Sequence, residues 1–358
     1  MITILYTYKN KEVERVKRSL DSLLNQTNTE FKVLFVDFGS NSTYSGKLQS
    51  VLKNYSFASY LYSYHLFRPW SRAKAINIGL RQVDTPYVFV ADIDMLFHKE
   101  FIATLQDIKS PDSSYYFKVG FLSETETQSH KQFEDYAIAF ESTPGAQGLS
   151  LFPAEALRAI RGFDEFFHFW GGEDEDIHAR LQKNGLKVNF FDEKILMLHQ
   201  WHPTYRGTIN KKLTTDIRHD SIARINQEHL RMNRFYAGSI RNPEQWGKII
   251  SKEEFEKLSK PDMHFQLSNK KAEIDNFLFS ILRQSENKIV KVIIRKDEFP
   301  NTVKYHIKKA VKKNVPEYYT MKQVNDVLLL HLIAFHNNAV YKYKVGDDLN
   351  SITLTLQL

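Results

Sequence analysis

A strand–helix–strand unit at the start of the chain constrains the fold more than any other feature. Apolar residues from Ile2 to Tyr6 predict a buried strand, and helically spaced apolar residues between Glu12 and Leu24 predict an amphipathic helix. The run FKVLFVD from Phe31 to Asp37 predicts a second buried strand. Two strands joined through a helix pair in parallel. We therefore expect an α/β fold built on a mostly parallel sheet flanked by helices.

Polar residues follow both predicted strands. Thr7 and Tyr8 open a predicted loop that runs to Asn10, whereas Asp37 closes the second strand and Ser40 comes shortly after it. Ligands of parallel sheets bind beyond the carboxyl ends of the strands. Asp37 is therefore a candidate to accept hydrogen bonds from a base or a ribose. The alternative is an aspartate that only shapes the turn.

A cationic helix start follows further along the chain. Ser71 is a predicted N-cap for a helix that runs to about Arg81. Arg72 and Lys74 lie in its first turns, where positive charge opposes the helix dipole. Either an anionic partner such as a diphosphate compensates this charge, or the helix is a solvated surface helix.

Two aspartates follow the apolar strand predicted at Tyr87 to Ala91. Alternate residues of a strand point the same way, so Asp92 and Asp94 are expected to present two carboxylates on one side of the sheet edge. Mg²⁺ or Mn²⁺ often bridges carboxylates and phosphates. The stretch Asp92-Ile93-Asp94 is therefore a candidate metal and phosphate site.

The segment from Gly162 to Gly185 carries the densest acidic motif. Trp170 and a glycine pair precede four consecutive acidic residues, and the spacing predicts a helix that begins beneath them and ends at Gly185. Acidic residues in a first turn complement the helix dipole, which is the simplest interpretation. The glycines permit close backbone approach, and the indole offers a face for a sugar ring. The sequence therefore also predicts a carbohydrate site here.

Two histidines follow the apolar run from Ile195 to Leu198. His199 and His202 are candidate metal ligands, and the alternative is a pair of packed or surface histidines. The chain contains no cysteine, which removes thiolate ligands and thiol nucleophiles and fits a reducing compartment.

Taken together, these stretches resemble the GT-A glycosyltransferases. The opening, with RSLDSLLNQT from residue 18 and VDFGS from residue 36, looks like glycosyltransferase family 2. Later motifs resemble the β-1,4-galactosyltransferase and chondroitin polymerase group. They are WSRAK from residue 70 with Asn77 and Gly79, Asp92-Ile93-Asp94, and Gly162-Phe163 followed by WGGEDED from residue 170. The resemblance covers roughly Met1 to Pro203 and implies a Rossmann-like mixed sheet, mostly parallel and flanked by helices. The residue pattern from about Met263 onward predicts a small C-terminal α+β appendage.

The resemblance also implies roles for single residues. Asp174 is the implied catalytic base. The acceptor is implied to bind Trp170, Gly171, Gly172, Glu173 and Asp174. The nucleotide sugar is implied to bind Thr7, Tyr8, Asp37, Trp70, Arg72, Asp92, Ile93 and Asp94. Asp94 and His199 are the implied ligands of Mn²⁺ or Mg²⁺, with Asp92 and His202 as alternatives. The chain departs from the group at Leu196, where the group has methionine, and at Glu175, where it has aspartate.

The expected activity is inverting and metal-dependent. A hexose or N-acetylhexosamine, with galactose and N-acetylgalactosamine favoured, would pass from a UDP-sugar to a glycan or glycolipid hydroxyl in surface polysaccharide or glycoconjugate synthesis. A non-catalytic glycan- or nucleotide-sugar-binding subunit is the main alternative. A sugar-nucleotide pyrophosphorylase would need a glycine-rich phosphate loop, and residues 7–10 do not form one. Nucleic-acid binding would rest only on the net charge of +7, so we expect none.

The expected organisation is a catalytic domain at 1–260 and a small accessory domain at 261–358. The first comprises a nucleotide-binding part at about 1–98, an acceptor-binding part at about 99–205 and a lid or linker at about 204–260. A basic amphipathic helix at 303–315 is either a solvated face or a contact with an anionic membrane surface or glycan. We expect a cytoplasmic enzyme of bacterial type, peripheral at the inner face of the membrane.

Overall fold

The computed structural model describes residues 1–203 and 212–358. These residues form two compact units. The larger unit contains residues 1–63, 70–203 and 223–249, and the smaller one contains 64–69, 212–222 and 250–358. The predicted division at residue 260 stays a prediction about independently folding domains. The predicted lid begins in residues 204–211, which lie outside the described part of the chain.

The larger unit alternates strands and helices along the chain. Its strands are β1 (Ile2–Tyr8), β2 (Phe31–Asp37), β3 (Ala58–Tyr62), β4 (Tyr87–Ala91), β5 (Met95–Phe97), β6 (Ser113–Phe117), β7 (Gly120–Leu122), β8 (Ile138–Glu141), β9 (Ser150–Pro153), β10 (Lys187–Phe191) and β11 (Met197–His199). Its helices are α1 (Val13–Leu24), α2 (Ser42–Leu52), α3 (Arg72–Leu80), α4 (Phe101–Ile108), α5 (Glu124–Gln128), α6 (Ala154–Ala159), α7 (Glu173–Lys183) and α8 (Ile222–Asn233), with a 3-10 turn at Phe133–Asp135.

Seven strands form the main sheet in the order β10-β6-β9-β4-β1-β2-β3. Strands β1 to β4 pair in parallel, as does β6 with β10, and only β9 runs antiparallel to its neighbours. The predicted α/β class with a mostly parallel sheet is therefore confirmed. Because β9 is reversed, its amino end lies at the edge where its antiparallel neighbour β4 ends.

Strand β1 is longer than the sequence predicts. Tyr8 pairs with Asp37 in the parallel register, so the predicted loop at residues 7–10 begins only after Tyr8. The Tyr8 ring is fully buried in the core, and its hydroxyl donates to the carbonyl of Lys11. Because this aromatic side chain is buried, Thr7 and Tyr8 stay within the strand rather than in a loop.

Two apolar cores cover the two faces of the sheet. Ile2, Ile4, Tyr6 and Tyr8 of β1 face the core that also contains apolar residues of α1, α2 and α4. Leu5 faces the other core, which contains apolar residues of α3, α6, α7 and α8. Burial of each aliphatic side chain stabilises the fold by about 1.5–3 kcal/mol relative to leaving that side chain exposed. Helices packed on both faces thus fix the strand ends that carry the candidate site.

Helix α3 is buried along almost its whole length. Residues 73–80 are all buried. A Cβ at Gly79 would lie 2.3 Å from a methyl group of Leu5, so the helix backbone lies directly on the sheet. Lys74 is also buried and forms an ion pair of 3.2 Å with Glu165. The interpretation of this segment as a solvated surface helix is therefore wrong.

A second sheet in the larger unit has the order β5-β11-β7-β8. Strands β5 and β11 are antiparallel, and His199 pairs with Met95. This register brings the end of β11 beside the turn that precedes β5. Residues far apart in sequence, Asp94 and His199, therefore become neighbours.

The smaller unit is an α+β structure. Its sheet has the order β12-β13-β15-β14, with strands β12 (Met263–Ser268), β13 (Ile289–Arg295), β14 (Tyr341–Val345) and β15 (Ser351–Gln357). Its helices are α9 (Lys252–Lys257), α10 (Lys271–Asn276), α11 (Val303–Ala310) and α12 (Met321–Phe335). Shorter helical turns lie at Phe277–Ile281, Leu282–Gln284 and Phe299–Asn301. Apolar residues of α12 and of all four strands form the core of this unit.

The predicted basic helix at 303–315 is shorter in the structure. Helix α11 ends at Ala310, and Lys312 has a φ of 54°. A positive φ cannot continue a right-handed helix, so the last predicted turn does not form. None of the helices in the described part of the chain is long and apolar enough to cross a membrane.

Candidate active site

A left-handed turn sets the start of α7. Phe169, Gly171 and Gly172 all have positive φ angles, of 64°, 93° and 96°. A Cβ at Gly172 would lie 2.7 Å from the ring of Phe167, so both the angle and the space require glycine there. The helix begins at once with Glu173, and its backbone N–H groups face the first-turn acids. The glycine pair thus fixes where these carboxylates lie.

The four acidic residues of this turn have different partners. Asp174 accepts a hydrogen bond of 2.7 Å from Arg72, and Glu173 lies 4.0 Å from the same guanidinium. Asp176 is buried against Arg180 at 2.6 Å, and Glu175 pairs with Arg234 at the surface. Only the first two acids therefore face the candidate site, and the other two hold the helix in place.

Arg72 is the cation at the centre of the site. It is the first residue of α3 and donates to Asp92 at 3.1 Å, to Asp174 at 2.7 Å and to the carbonyl of Gly148 at 2.8 Å. Burial opposes its charge, but the carboxylates of Asp174, Asp92 and Glu173 together raise the pKa of Arg72. The guanidinium stays charged and ties three separate chain segments together.

The pKa values of both site acids on α7 are raised. Burial is the largest cause for Glu173, and together with the neighbouring Asp174 it raises the pKa of Glu173 to about 7 although Arg72 opposes the shift. Burial also raises the pKa of Asp174, against the lowering effect of Arg72. The side chain of Asp174 is 29% exposed, compared with 12% for Glu173. Asp174 is therefore the more accessible of two carboxylates with raised proton affinity.

Asp94, His199 and His202 form a compact group. Nε2 of His202 lies 3.2 Å from Oδ2 of Asp94, and Nε2 of His199 lies 3.7 Å from Oδ1. One ligand atom from each residue fits within 4.8 Å of the others. Burial would raise the pKa of Asp94, but the two histidines hold it below its usual value. The hydrogen bond to Asp94 in turn raises the pKa of His202.

This group fits a divalent cation. Oδ1 of Asp94 is buried without a hydrogen-bond partner, and a buried carboxylate oxygen is costly unless something compensates it. One carboxylate and two imidazoles form a donor set that suits a transition metal such as Mn²⁺ better than Mg²⁺, which prefers oxygen ligands. His199 also stacks on Phe121 with ring centres 4.9 Å apart, which orients its ring.

The two aspartates do not share one side of a strand. Strand β4 ends at Ala91, so Asp92 and Asp94 lie in the turn before β5 rather than on an extended strand. Asp92 therefore pairs with Arg72, whereas Asp94 lies beside the histidines. Ile93 between them packs against the core. The expectation of paired carboxylates was wrong because strand alternation does not extend into a turn.

The residues predicted to contact a nucleotide lie at the ends of β1 and β2. Asp37 is fully buried; its carboxylate accepts hydrogen bonds from the Ser40 N–H at 2.7 Å and the Tyr60 hydroxyl at 2.8 Å. Burial raises its pKa. These contacts shape the turn, which was the alternative interpretation of this residue. Thr7 is also buried, as is Tyr8.

Trp70 forms the aromatic border of this edge. Its ring lies 5.6 Å from that of Phe38 in an edge-to-face arrangement, and the ammonium of Lys9 lies 5.0 Å from the centre of Phe38. The carbonyl of Trp70 accepts a hydrogen bond from the N–H of Phe169. Trp70 thus connects the ends of β1 and β2 to the turn that carries Trp170.

Sequence reasoning missed Gly148 and Asn226. A Cβ at Gly148 would lie 3.1 Å from Oδ2 of Asp174, so this glycine leaves space beside the carboxylate. Asn226 on α8 is fully buried and donates to the carbonyls of His168 and Trp170, both at 3.0 Å. The glycine-punctuated run GAQG was a signal for Gly148. Nothing in the sequence marks Asn226, because its partners are backbone carbonyls.

Two family models match the larger unit. Residues 3–133 match the one described as glycosyl transferase family 2, and residues 127–202 match the one described as the N-terminal domain of galactosyltransferase. The first range contains Asp37, Arg72 and Asp94, and the second contains Asp174 and His199. These matches confirm the predicted class of protein, a glycosyltransferase with family 2 and galactosyltransferase features.

Curated relatives come from the same class. The chain is 26% identical over 136 residues to beta-1,4-galactosyltransferase 5 of Homo sapiens and of Mus musculus, and 28% identical over 136 residues to that of Sus scrofa. Each alignment covers 37% of this chain and 31% of the relative. The chain therefore aligns with less than a third of the length of these relatives.

Solved structures with detectable similarity are also known. Residues 1–349 of S. aureus TarS in complex with UDP give a TM-score of 0.41 at 16% identity, with 55% of this chain and 59% of that chain covered. The mannosyltransferase PcManGT from Pyrobaculum calidifontis in complex with GDP-Man and Mn²⁺ gives 0.42 at 15% identity, with 65% and 62% covered.

Proposed function

We propose that this chain transfers a sugar from a nucleotide donor to a glycan hydroxyl with inversion at the anomeric carbon. The observation that carries the proposal is the contact of 2.7 Å between Arg72 and Asp174, with Asp92 on the same guanidinium. This contact places the candidate base Asp174 and the positively charged Arg72 at the edge of the sheet where β4 ends. Asp94 lies in the turn that follows β4. The family matches over 3–133 and 127–202 support the same assignment from both parts of the site.

Asp174 is the proposed catalytic base. Its Oδ1 accepts the hydrogen bond from Arg72, which leaves Oδ2, beside Gly148, as the oxygen that takes a proton. Burial raises the pKa of Asp174, and a base of raised pKa holds the transferred proton more firmly. Glu173 and the Trp170-Gly171-Gly172 turn are the proposed acceptor contacts.

The reaction is a single displacement. Asp174 removes the proton from the acceptor hydroxyl as the oxygen of that hydroxyl bonds to the anomeric carbon. The bond between that carbon and the diphosphate oxygen breaks, and its electron pair leaves with the nucleoside diphosphate. Attack from the face opposite the leaving group inverts the configuration. Arg72 stabilises negative charge that develops at the site.

Asp94, His199 and His202 are the proposed ligands of a divalent cation, Mn²⁺ in preference to Mg²⁺. When bound there, such a cation supplies positive charge that stabilises a departing diphosphate. Asp92 is not a proposed ligand of the cation, because its carboxylate pairs with the guanidinium of Arg72. We propose that Asp92 acts on the donor by holding Arg72 in position.

The donor is proposed to be a UDP-sugar that carries galactose or N-acetylgalactosamine. Its nucleotide would lie at the edge formed by Thr7, Tyr8, Asp37 and Trp70, with Ile93 beneath the turn. The galactosyltransferase match and the named relatives support this sugar class. The proposed acceptor is a glycan or glycolipid, and the absence of cysteine is consistent with a cytoplasmic reaction.

Water exclusion is assigned to the Trp170 turn. Trp170 is 41% exposed and sits between residues of positive φ, so its indole can cover a bound sugar without leaving the turn. Water that reached the anomeric carbon would compete with the acceptor, so such cover favours transfer over hydrolysis.

One observation favours the alternative of a non-catalytic binding subunit. The ion pair with Arg72 occupies Oδ1 of Asp174 and lowers the pKa of that carboxyl, against the effect of burial. A binding subunit would keep the nucleotide edge and the cation group but would not turn over the donor.

Nucleotide release separates the two functions. The purified protein would be incubated with UDP-galactose, UDP-N-acetylgalactosamine, UDP-glucose or UDP-N-acetylglucosamine, each with Mn²⁺ or with a chelator. We expect Mn²⁺-dependent UDP release from one donor, with galactose or its N-acetyl derivative preferred. UDP binding without release from any donor, in the presence of candidate glycan acceptors, would favour the binding subunit.

A further inference from the structure

Helix α11 of the smaller unit presents an apolar stripe to solvent. Val303, Ile307 and Val311 follow one another at four-residue spacing, so they lie on one side of the helix and its cap. Their exposed fractions are 73%, 58% and 59%. No residue of α11 is buried. The apolar side of this helix therefore does not belong to the core of the unit.

Lysines surround the stripe without acidic neighbours. The segment 299–316 contains the five lysines Lys304, Lys308, Lys309, Lys312 and Lys313, and no aspartate or glutamate. Within the described ranges, none of the five lies within 4.0 Å of a carboxylate. The segment thus combines uncompensated positive charge with exposed aliphatic side chains.

A solvated helix face does not account for this pattern. Such a face places its charges outward and its apolar residues against the core. On α11 both kinds of side chain are exposed, and exposed apolar patches rimmed by polar residues mark interaction sites. An anionic glycan would match the lysines but would offer no apolar environment to the three aliphatic side chains.

We propose that α11 docks on a membrane surface of anionic lipids. The three aliphatic side chains enter the boundary between headgroups and acyl chains, and the lysine ammonium groups contact lipid phosphates. A short basic amphipathic helix lies in the plane of such an interface, and the charge of its polar side selects anionic lipid. This inference does not depend on the proposed sugar transfer, because it concerns only residues of the smaller unit.

Vesicle sedimentation of the full chain tests the proposal. Vesicles of phosphatidylcholine alone would be compared with vesicles that also contain phosphatidylglycerol. We expect binding to the anionic vesicles at least tenfold stronger than to the neutral ones. We also expect at least tenfold weaker binding for Ile307→Ser with Val311→Ser, and for Lys308→Gln with Lys309→Gln.

Matched controls separate docking from general effects. Phe235→Ser removes a side chain that is 74% exposed outside α11, and Lys257→Gln with Lys260→Gln removes two positive charges from the same unit. Both controls should bind vesicles like the unchanged chain, and thermal melting should show that all variants fold. Equal binding to both kinds of vesicle would overturn the proposal. Equal losses in controls and α11 variants, or a loss with the lysine variant alone, would also overturn it.

Discussion

The guanidinium of Arg72 donates to the carboxylate of Asp174 across 2.7 Å, although 102 positions separate the two residues. One is the first residue of α3, and the other is the second residue of α7. Because both helices pack on the same face of the sheet, their amino ends converge where β4 ends. The contact joins the part of the chain matched by the family 2 model to the part matched by the galactosyltransferase model.

The space beside Asp174 depends on Gly148. In Gly148→Ala the new methyl group would lie 3.1 Å from Oδ2, which forces the carboxylate to shift by a few tenths of an ångström. Small displacements of a catalytic group are costly, so we expect a loss of kcat of about tenfold to a hundredfold with little change in melting temperature. Gly145→Ala is the matched control, since its Cβ would meet only Thr143 at 3.6 Å. Equal activity of the two variants would contradict the assigned role of Gly148.

Substitutions in and beside the proposed cation site, formed by Asp94, His199 and His202, should affect Mn²⁺ binding differently. His202→Ala and His199→Ala should each weaken Mn²⁺ binding by about tenfold or more, because each removes one ligand from a set of three. Asp92→Asn should bind Mn²⁺ almost as the unchanged protein does, since Asp92 pairs with Arg72 instead. Titration calorimetry with Mn²⁺ alone measures this without reference to activity. A larger loss in Asp92→Asn than in His202→Ala would show that the ligand set is different.

Asn226 holds the Trp170 turn from helix α8. Asn226→Ala leaves the carbonyls of His168 and Trp170 without this donor, which should lower the free energy of unfolding by about 1–3 kcal/mol. It should also raise KM more than it lowers kcat, because we propose that the turn contacts the substrate away from the reacting bond. Glu228→Ala, on the same helix with a side chain 67% exposed, is the control. Unchanged KM in Asn226→Ala would separate the turn from substrate binding.

Glu173 should make stability depend on pH. Its pKa is raised from 4.5 to about 7, with burial as the largest cause. The folded protein therefore keeps a proton that the unfolded chain releases, so this group lowers stability as pH rises from about 4.5 to about 7. Glu173→Gln removes that loss and should increase the free energy of unfolding by about 1–3 kcal/mol at about pH 8, with little effect near about pH 4. Urea denaturation at both pH values checks this, and a stabilisation confined to acidic pH would reverse the assigned sign.

The sequence predicted well those features that depend on local periodicity. Buried runs such as Phe31 to Asp37 specify strands, and the capping pattern at Ser71 and the glycine at Gly185 mark helix ends, which the structure reproduces. Such signals act within a few residues, so they are readable without knowledge of the fold. The parallel sheet followed from the strand–helix–strand order for the same reason.

Features that depend on tertiary contacts could not be predicted in this way. Tyr8 stays in β1 because its ring is buried in the core. Asp92 and Asp94 have different partners because β4 ends at Ala91, so both lie in a turn. Asp92 pairs with Arg72, whereas Asp94 pairs with His202. The buried Lys74–Glu165 pair and the donor role of Asn226 likewise need the neighbouring elements in place. Residue type and spacing alone do not encode which segment a polar side chain will meet.

Proton removal by Asp174 is the central claim, and one comparison tests it most directly. Transfer from the preferred UDP-sugar would be measured in Asp174→Asn and in Glu175→Gln, a change from carboxylate to amide one position along the same helix, where Glu175 pairs with Arg234 at the surface. We predict that Asp174→Asn loses transfer by about a thousandfold or more and keeps UDP binding, whereas Glu175→Gln retains activity. Transfer by Asp174→Asn at a rate near that of Glu175→Gln would contradict the assignment of Asp174 as the base.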